Sequence, residues 1–175
     1  MGDIIYVTGR LGEAELGLRL LKRSKTQPRS SNPFLRKHLY PEPRLAVGQW
    51  LAEKRLATSM MDLSDGLSTD LPRLCAASGV GADVESESIP VVEHASAGRG
   101  LGVDPLQLAL HGGDDYELLF TFRPSRVNML PKTLHGVPLT VIGRITEQRE
   151  LVLLKQNGRK RQLHPGGWDP FRNRR

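Results

Sequence analysis

Two short stretches hold most of the side chains from which a reaction could be built. In the first, Asp62 and Asp65 flank Ser64 just before Gly66 and Leu67. The β-rich run Ser59–Leu63 gives way there to a helical pattern, so the triplet falls on a strand-to-helix turn. A carboxylate closing a strand and a second one three residues on can converge on one hard cation. Mg²⁺ favours such oxygens together with water and substrate phosphate. The unpaired amides opening the helix favour an anion beside them, so cation and phosphate could meet at this turn. The same residues admit a plainer reading, in which Ser64 or Asp65 only caps the helix.

The second stretch is His111-Gly112-Gly113-Asp114-Asp115-Tyr116-Glu117. Paired glycines allow close backbone approach. Adjacent carboxylates repel unless a cation or hydrogen-bond donor relieves them. The plainer alternative is a glycine-rich helix stop followed by solvated charge. Neither stretch matches the phosphate loop of nucleoside triphosphatases or the dinucleotide fingerprint. His38, His94, His111, His135 and His164 lack zinc-ligand spacing. No Gly-x-Ser-x-Gly elbow occurs, and Cys75 beside an apolar helical stripe reads as core rather than nucleophile. Trp168 and Phe171 are either core plugs or rings that stack on a ligand.

The elements that must position these residues follow from periodicity and turn chemistry. Ile4–Thr8 reads as a strand, and Glu13–Arg23 as a helix with Leu16, Leu20 and Leu21 on one face. Ser24–Asn32 is a polar, basic loop, and Pro43 opens a helix from about Arg44 to Ala57. The helix after Gly66 spans Leu67 to Ser78, and Gly79 sits just past its end. Val80, Ala82 and Val84 alternate with polar residues as in a half-exposed strand, and Gly98–Gly102 is a flexible connection. Asp104-Pro105 opens a helix that stops at Gly112-Gly113. Tyr116–Phe122 and Leu139–Ile145 read as strands, with a short helix at Ser125–Leu130 between them. Leu151–Lys155 and Arg159–Leu163 flank the hairpin turn Asn157-Gly158. Helices alternate with strands early and strands gather late, which predicts an α+β layered sheet.

Composition bounds the partners. The 175 residues, 38% hydrophobic and 25% charged, suffice for one packed domain rather than a disordered chain. The longest aliphatic run, Leu151–Leu154, is far too short for a membrane-spanning helix, and no secretory signal precedes the first strand. A lone cysteine cannot form an internal disulfide, which fits a cytoplasmic protein. The net charge of +6 is segregated: Asp62 to Glu117 holds eleven acidic residues against two arginines, a balance of −9, and the remainder carries +15. The basic residues cluster in Arg19–Arg44 and Lys155–Arg175 with few aromatics interleaved, a solvated surface rather than a nucleic-acid face. The acidic middle is the half that asks for a cation.

Five segments in order, Gly2–Gly12, Leu39–Leu45, Met60–Leu71, His111–Phe120 and Gly167–Phe171, closely resemble the C-terminal half of thiamine-monophosphate kinases, which belong to a superfamily that includes aminoimidazole ribonucleotide synthetase. The resemblance covers essentially the whole chain. It implies a layered α/β sandwich with a mixed sheet, like the C-terminal domain of the synthetase, over residues 1–175. It implies transfer of the terminal phosphoryl group of ATP to thiamine monophosphate, giving thiamine diphosphate with Mg²⁺. By the resemblance, Asp62 and Asp65 are magnesium ligands, Ser64 an ATP contact, and Asp114 and Trp168 substrate contacts. Such a transfer needs positioning and charge neutralisation more than a covalent nucleophile.

Asp114 stands where the family usually has Glu, and Pro170 where a His is common. The resemblance also implies a preceding N-terminal domain, which in the family supplies further acidic metal ligands, much of the nucleotide site and the homodimer contact. The expectation is therefore a chain completed by a separate N-terminal half. Two alternatives are a non-catalytic remnant or binding module of the same fold, and another ATP-using member of the superfamily.

Overall fold

The structure, a computed structural model, describes residues 2–23, 32–92, 102–149 and 152–168. Most of the loop expected over Ser24–Asn32, most of the connection Gly98–Gly102, and Pro170 and Phe171 lie outside the described residues. In chain order the elements are β1 (Ile4–Thr8), α1 (Glu13–Arg23), α2 (Pro33–Leu39), α3 (Leu45–Glu53), β2 (Ala57–Leu63), α4 (Leu67–Ser78), β3 (Gly81–Glu85), α5 (Pro105–His111), β4 (Glu117–Phe122), β5 (Thr133–Leu134), β6 (Val137–Thr146), β7 (Val152–Gln156) and β8 (Arg159–Gln162). One mixed sheet runs β2-β4-β1-β6-β3-β7-β8, with β5 pairing β6. The β3–β7 pair is parallel and the other pairs are antiparallel.

The period-2 alternation of β1 decides the layering, because both of its faces are apolar. Ile5 and Val7 enter a core with Leu67, Leu71 and Cys75 of α4 and Leu110 of α5. Ile4 and Tyr6 enter a second core with Val47 and Leu51 of α3 and with Phe120 and Phe122. Tyr6 stacks on Phe120 at 5.3 Å between ring centroids. Each such fully buried aliphatic or aromatic side chain contributes about 1.5–3 kcal/mol of transfer free energy. The result is the α+β layered sandwich that alternation predicts, with helices on both sheet faces.

Two differences from the sequence reading have local causes. The helix expected to reach Ala57 stops at Glu53. Arg55 adopts a left-handed φ of 51°, and the Leu56 amide bonds back to the Leu51 carbonyl at 3.0 Å. That reversal frees Ala57 to begin β2. The short helix α2 was not anticipated, although its start is written in Asn32-Pro33. Asn32 Oδ1 accepts the amides of Phe34 (2.9 Å) and Leu35 (3.3 Å), and proline occupies the first helical position.

Strand register brings the two polar stretches together. In the antiparallel β2–β4 pair, Asp62 lies opposite Leu118 and Leu63 opposite Glu117. The end of β2 and the start of β4 are therefore neighbours. The segment between α5 and β4 is fastened to the turn after β2 by the Asp114 amide on the Ser64 carbonyl and the Tyr116 amide on the Leu63 carbonyl, both 2.9 Å.

Candidate active site

Gly66, not Ser64 or Asp65, takes the capping position of α4, and no side chain caps that helix. Its φ of +96° is open to glycine at little cost, and a Cβ there would stand 2.8 Å from the Gly112 carbonyl oxygen. The plainer reading of the first stretch therefore fails, and the polar groups of Ser64 and Asp65 are not spent on the helix end. Asp70, fully buried one turn into α4, shapes the turn instead: its Oδ2 accepts the amides of Ser64 (3.1 Å) and Asp65 (2.9 Å). Burial pushes the Asp70 carboxyl up, while those amides and Arg73 oppose the shift.

The second stretch splits its adjacent carboxylates by backbone geometry. Asp114 (φ 65°) and Tyr116 (φ 50°) are both left-handed. Asp115 turns inward and accepts the amides of Gly12 (2.6 Å) and Ala14 (3.0 Å) at the start of α1. Burial pushes its carboxyl up to about 7 against those donors. Asp114 remains half exposed, with the His38 ring nitrogen 3.7 Å from its Oδ2. The repulsion expected between the two is relieved by sending one carboxylate to a helix end and leaving the other free to act.

Ser64, Asp65, Asp114 and Trp168 all line one cleft of about 650 Å³, closed on its other sides by α1, Gly112-Gly113 and Gly166-Gly167. Trp168 is 58% exposed, so it is a wall of the cleft and not a core plug. Arg19, Lys22, His38 and His111 also face the cleft, with Arg19 paired to Glu15 at 2.7 Å, so the lining mixes cationic and acidic side chains. Burial, with the charge of Arg161 adding to it, holds the His111 imidazole below its ordinary value. Asp62 is not brought into this cleft: it lies on the exposed side of the edge strand β2. Arg73 donates to the Asp65 carboxylate and, at 3.2 Å, to Asp70.

Sequence reading overlooked a buried charge cluster behind the cleft. Glu117, with no exposed surface, accepts from Lys37 Nζ at 2.6 Å, from Arg44 Nε at 2.8 Å and Nη2 at 2.7 Å, and from the Thr8 hydroxyl at 2.6 Å. Burial alone would raise its carboxyl, but Arg44 and Lys37 outweigh that and hold it below its ordinary value. The cluster ties α2 and the start of α3 to β4, which is how His38 comes to face Asp114. Its only sequence signal is a charged residue opening the apolar strand Glu117–Phe122. Cys75 is buried, and desolvation pushes its thiol up to about 11, as a core cysteine requires.

Among the described residues no three His, Cys, Asp or Glu side chains are grouped to hold a metal ion. Mg²⁺ usually takes one or two protein carboxylates and completes its shell with water and phosphate. Asp65, half-buried in the cleft, suits a metal shared in that way with a phosphate ligand. The described residues do not form a cage that would hold a metal by side chains alone. No helix of the described residues is long and apolar enough to cross a membrane.

A mixed sheet sandwiched by helices, with an open polar cleft at a strand-to-helix turn, defines the class. Residues 1–155 match the family described as AIR synthase related protein, C-terminal domain, and the chain belongs to that family. Among curated proteins it is 36% identical over 177 residues to the thiamine-monophosphate kinase of Escherichia coli K12, and 33% identical over 174 residues to that of Buchnera aphidicola from Schizaphis graminum. Each alignment covers 97% of this chain and 53% of the relative, so the chain spans about half the length of the curated relatives it matches. The solved structure described as AaThiL complexed with AMPPCP and TMP superposes with a TM-score of 0.79 at 32% identity, covering 98% of this chain and 52% of that one.

Proposed function

We propose that this chain forms the substrate-facing half of a thiamine-monophosphate kinase, which passes the terminal phosphoryl group of ATP to the phosphate of thiamine monophosphate. The observation that carries the reading is the convergence of Ser64, Asp65, Asp114 and Trp168 on one cleft, although they lie up to 104 positions apart in the chain. In this reading Trp168 and Asp114 hold the thiamine moiety: an exposed indole offers a stacking face, and a carboxylate pairs with a cationic or N–H-bearing ring. Lys22 and Arg19, the latter shared with Glu15, offer the cationic groups for the phosphate.

Asp65, with Asp62 from the exposed side of β2, contributes carboxylates to Mg²⁺, and Ser64 contributes a hydroxyl to the nucleotide. Bound there, Mg²⁺ would supply neutralisation of the charge that develops on the transferred phosphoryl group. The carboxylate of Asp65 is already paired with Arg73, so cation and guanidinium compete for it. The half of the relatives that this chain does not span, whether on the same or another polypeptide, supplies the remaining metal and nucleotide contacts. The whole assembly works in the cytoplasm.

The test is reconstitution. The 175-residue chain is mixed with the N-terminal half of a relative, ATP, Mg²⁺ and thiamine monophosphate, and thiamine diphosphate is measured by its fluorescent oxidation product. The expected result is product from the mixture and none with the Asp65→Asn chain. A wild-type mixture that binds both substrates yet makes no product would replace the kinase reading with that of a binding module.

A further inference from the structure

Three successive amides near the end of the described residues are all spent on the first turn of α4 and on Asp65, two residues before it. Gly166 N–H donates to the Ser68 hydroxyl at 3.1 Å, Gly167 N–H to the Thr69 hydroxyl at 3.2 Å, and Trp168 N–H to the Asp65 carbonyl at 3.1 Å. Ser68 is fully buried and Thr69 nearly so, and neither hydroxyl serves the helix end, which Gly66 caps without a side chain. Ser68 Oγ also lies 2.8 Å from His111 Nδ1. Oγ accepts from Gly166 and shares a second hydrogen bond with that ring nitrogen, in which either atom can be the donor according to the imidazole tautomer. Burial of the imidazole favours its neutral form.

Space enforces the same contact. A Cβ on Gly167 would collide with the Asp65 carbonyl and stand 2.7 Å from the Thr69 hydroxyl, and one on Gly166 would collide with the His111 ring. The two glycines are what lets this segment lie flat against the turn.

We infer that Ser68 and Thr69 are positioning residues that strap the Trp168 segment onto the Asp65 turn, so that these two adjoining walls of the cleft form one rigid unit. This rests on the reading in which Trp168 meets thiamine and Asp65 meets the metal and phosphates. It deepens that reading by naming what fixes the separation of the two subsites. A single hydrogen bond, from the Trp168 amide to the Asp65 carbonyl, joins the backbones of the two residues. The hydroxyls of Ser68 and Thr69 hold the flanking glycines so that this bond keeps its geometry.

The experiment compares the full chain with Ser68→Ala/Thr69→Val, which removes both hydroxyls at nearly constant volume, and with Thr69→Ser, which keeps the hydroxyl. Hydrogen exchange at Gly166–Trp168 reads the strap without any ligand. Exchange about tenfold faster or more in the double variant, with wild-type rates in Thr69→Ser, is expected from the loss of two hydrogen bonds. Fluorescence of Trp168, read with Trp50→Phe as background, is titrated with thiamine monophosphate; affinity should weaken about five- to tenfold in the double variant and recover in Thr69→Ser. Unchanged exchange overturns the strap. Faster exchange with unchanged affinity overturns its positioning role. If the wild-type chain fails to bind thiamine monophosphate at all, the functional reading falls while the exchange data still decide whether the strap exists.

Discussion

Replacing Glu117 by Gln tests whether the charge cluster behind the cleft holds the scaffold together. The substitution preserves shape but removes the buried anion shared by Lys37 and Arg44, whose side chains are 14% and 18% exposed, and leaves Arg44 only the exposed Glu42, at 3.9 Å, as an ion-pair partner among the described residues. Hydrogen bonds to charged partners are worth about 1.5–3 kcal/mol each, and removing one member of a buried pair costs about 3–5 kcal/mol. Gln keeps one neutral acceptor and the two cations keep some solvent, so a loss of about 3 kcal/mol is expected. For a chain of this size that is a fall in Tm of about 6–12 °C, read by circular dichroism near pH 7.5.

The pH dependence follows from the depressed carboxyl. A group with its folded pKa below its ordinary value of 4.5 stabilises the fold above that value, and the contribution is lost as pH falls through the lower, folded value. The gap in Tm between wild type and Glu117→Gln should therefore close on acidification below about pH 4. A loss under about 1 kcal/mol at pH 7.5, or a gap that widens in acid, would refute the reasoning.

Asp115 should behave in the opposite sense. Its carboxyl, raised to about 7, keeps its proton in the folded state after the unfolded chain has lost it, so its contribution declines as pH rises from about 4 to about 7. The Tm of wild type relative to Asp115→Asn should fall over that interval, and a rise would show that the amides of Gly12 and Ala14 dominate burial. Gly66→Ala forces a left-handed φ on a residue with a Cβ 2.8 Å from a carbonyl oxygen; a loss of about 1–3 kcal/mol is expected in urea unfolding, with weakened thiamine monophosphate binding. Cys75 should resist iodoacetamide in the folded chain and react on unfolding, as mass spectrometry would show; rapid native labelling would contradict its burial.

Much of the scaffold was legible because local signals agree with the tertiary outcome. The apolar face of Glu13–Arg23, the stripe of Leu67–Ser78 and the cap Asp104-Pro105 each name a helix at its observed bounds. Asn157-Gly158, with φ values of 48° and 74°, makes the hairpin turn that its sequence announces. The cleft was legible in part: Ser64, Asp65, Asp114 and Trp168 meet, but spacing alone set Asp62 beside Asp65, whereas strand alternation puts it on the open side of β2. The less visible parts depend on pairings across long stretches of chain. Asp115 serves amides some hundred residues away, Glu117 gathers Lys37 and Arg44, and Ser68 and Thr69 hold a tail 98 positions downstream. No local period marks such partners, since only the sheet register and helix packing bring them together.

The most direct test of the central claim is an amide-shift map of the isotope-labelled chain titrated with thiamine monophosphate and Mg²⁺. Saturable shifts are expected at Ser64, Asp65, Gly113, Asp114 and Trp168, with the pocket between Thr58, Cys75 and Thr121, at the opposite ends of β2, α4 and β4, left unmoved. Saturable shifts centred on that second pocket, or on the basic β7–β8 hairpin, with the cleft residues silent, would contradict it.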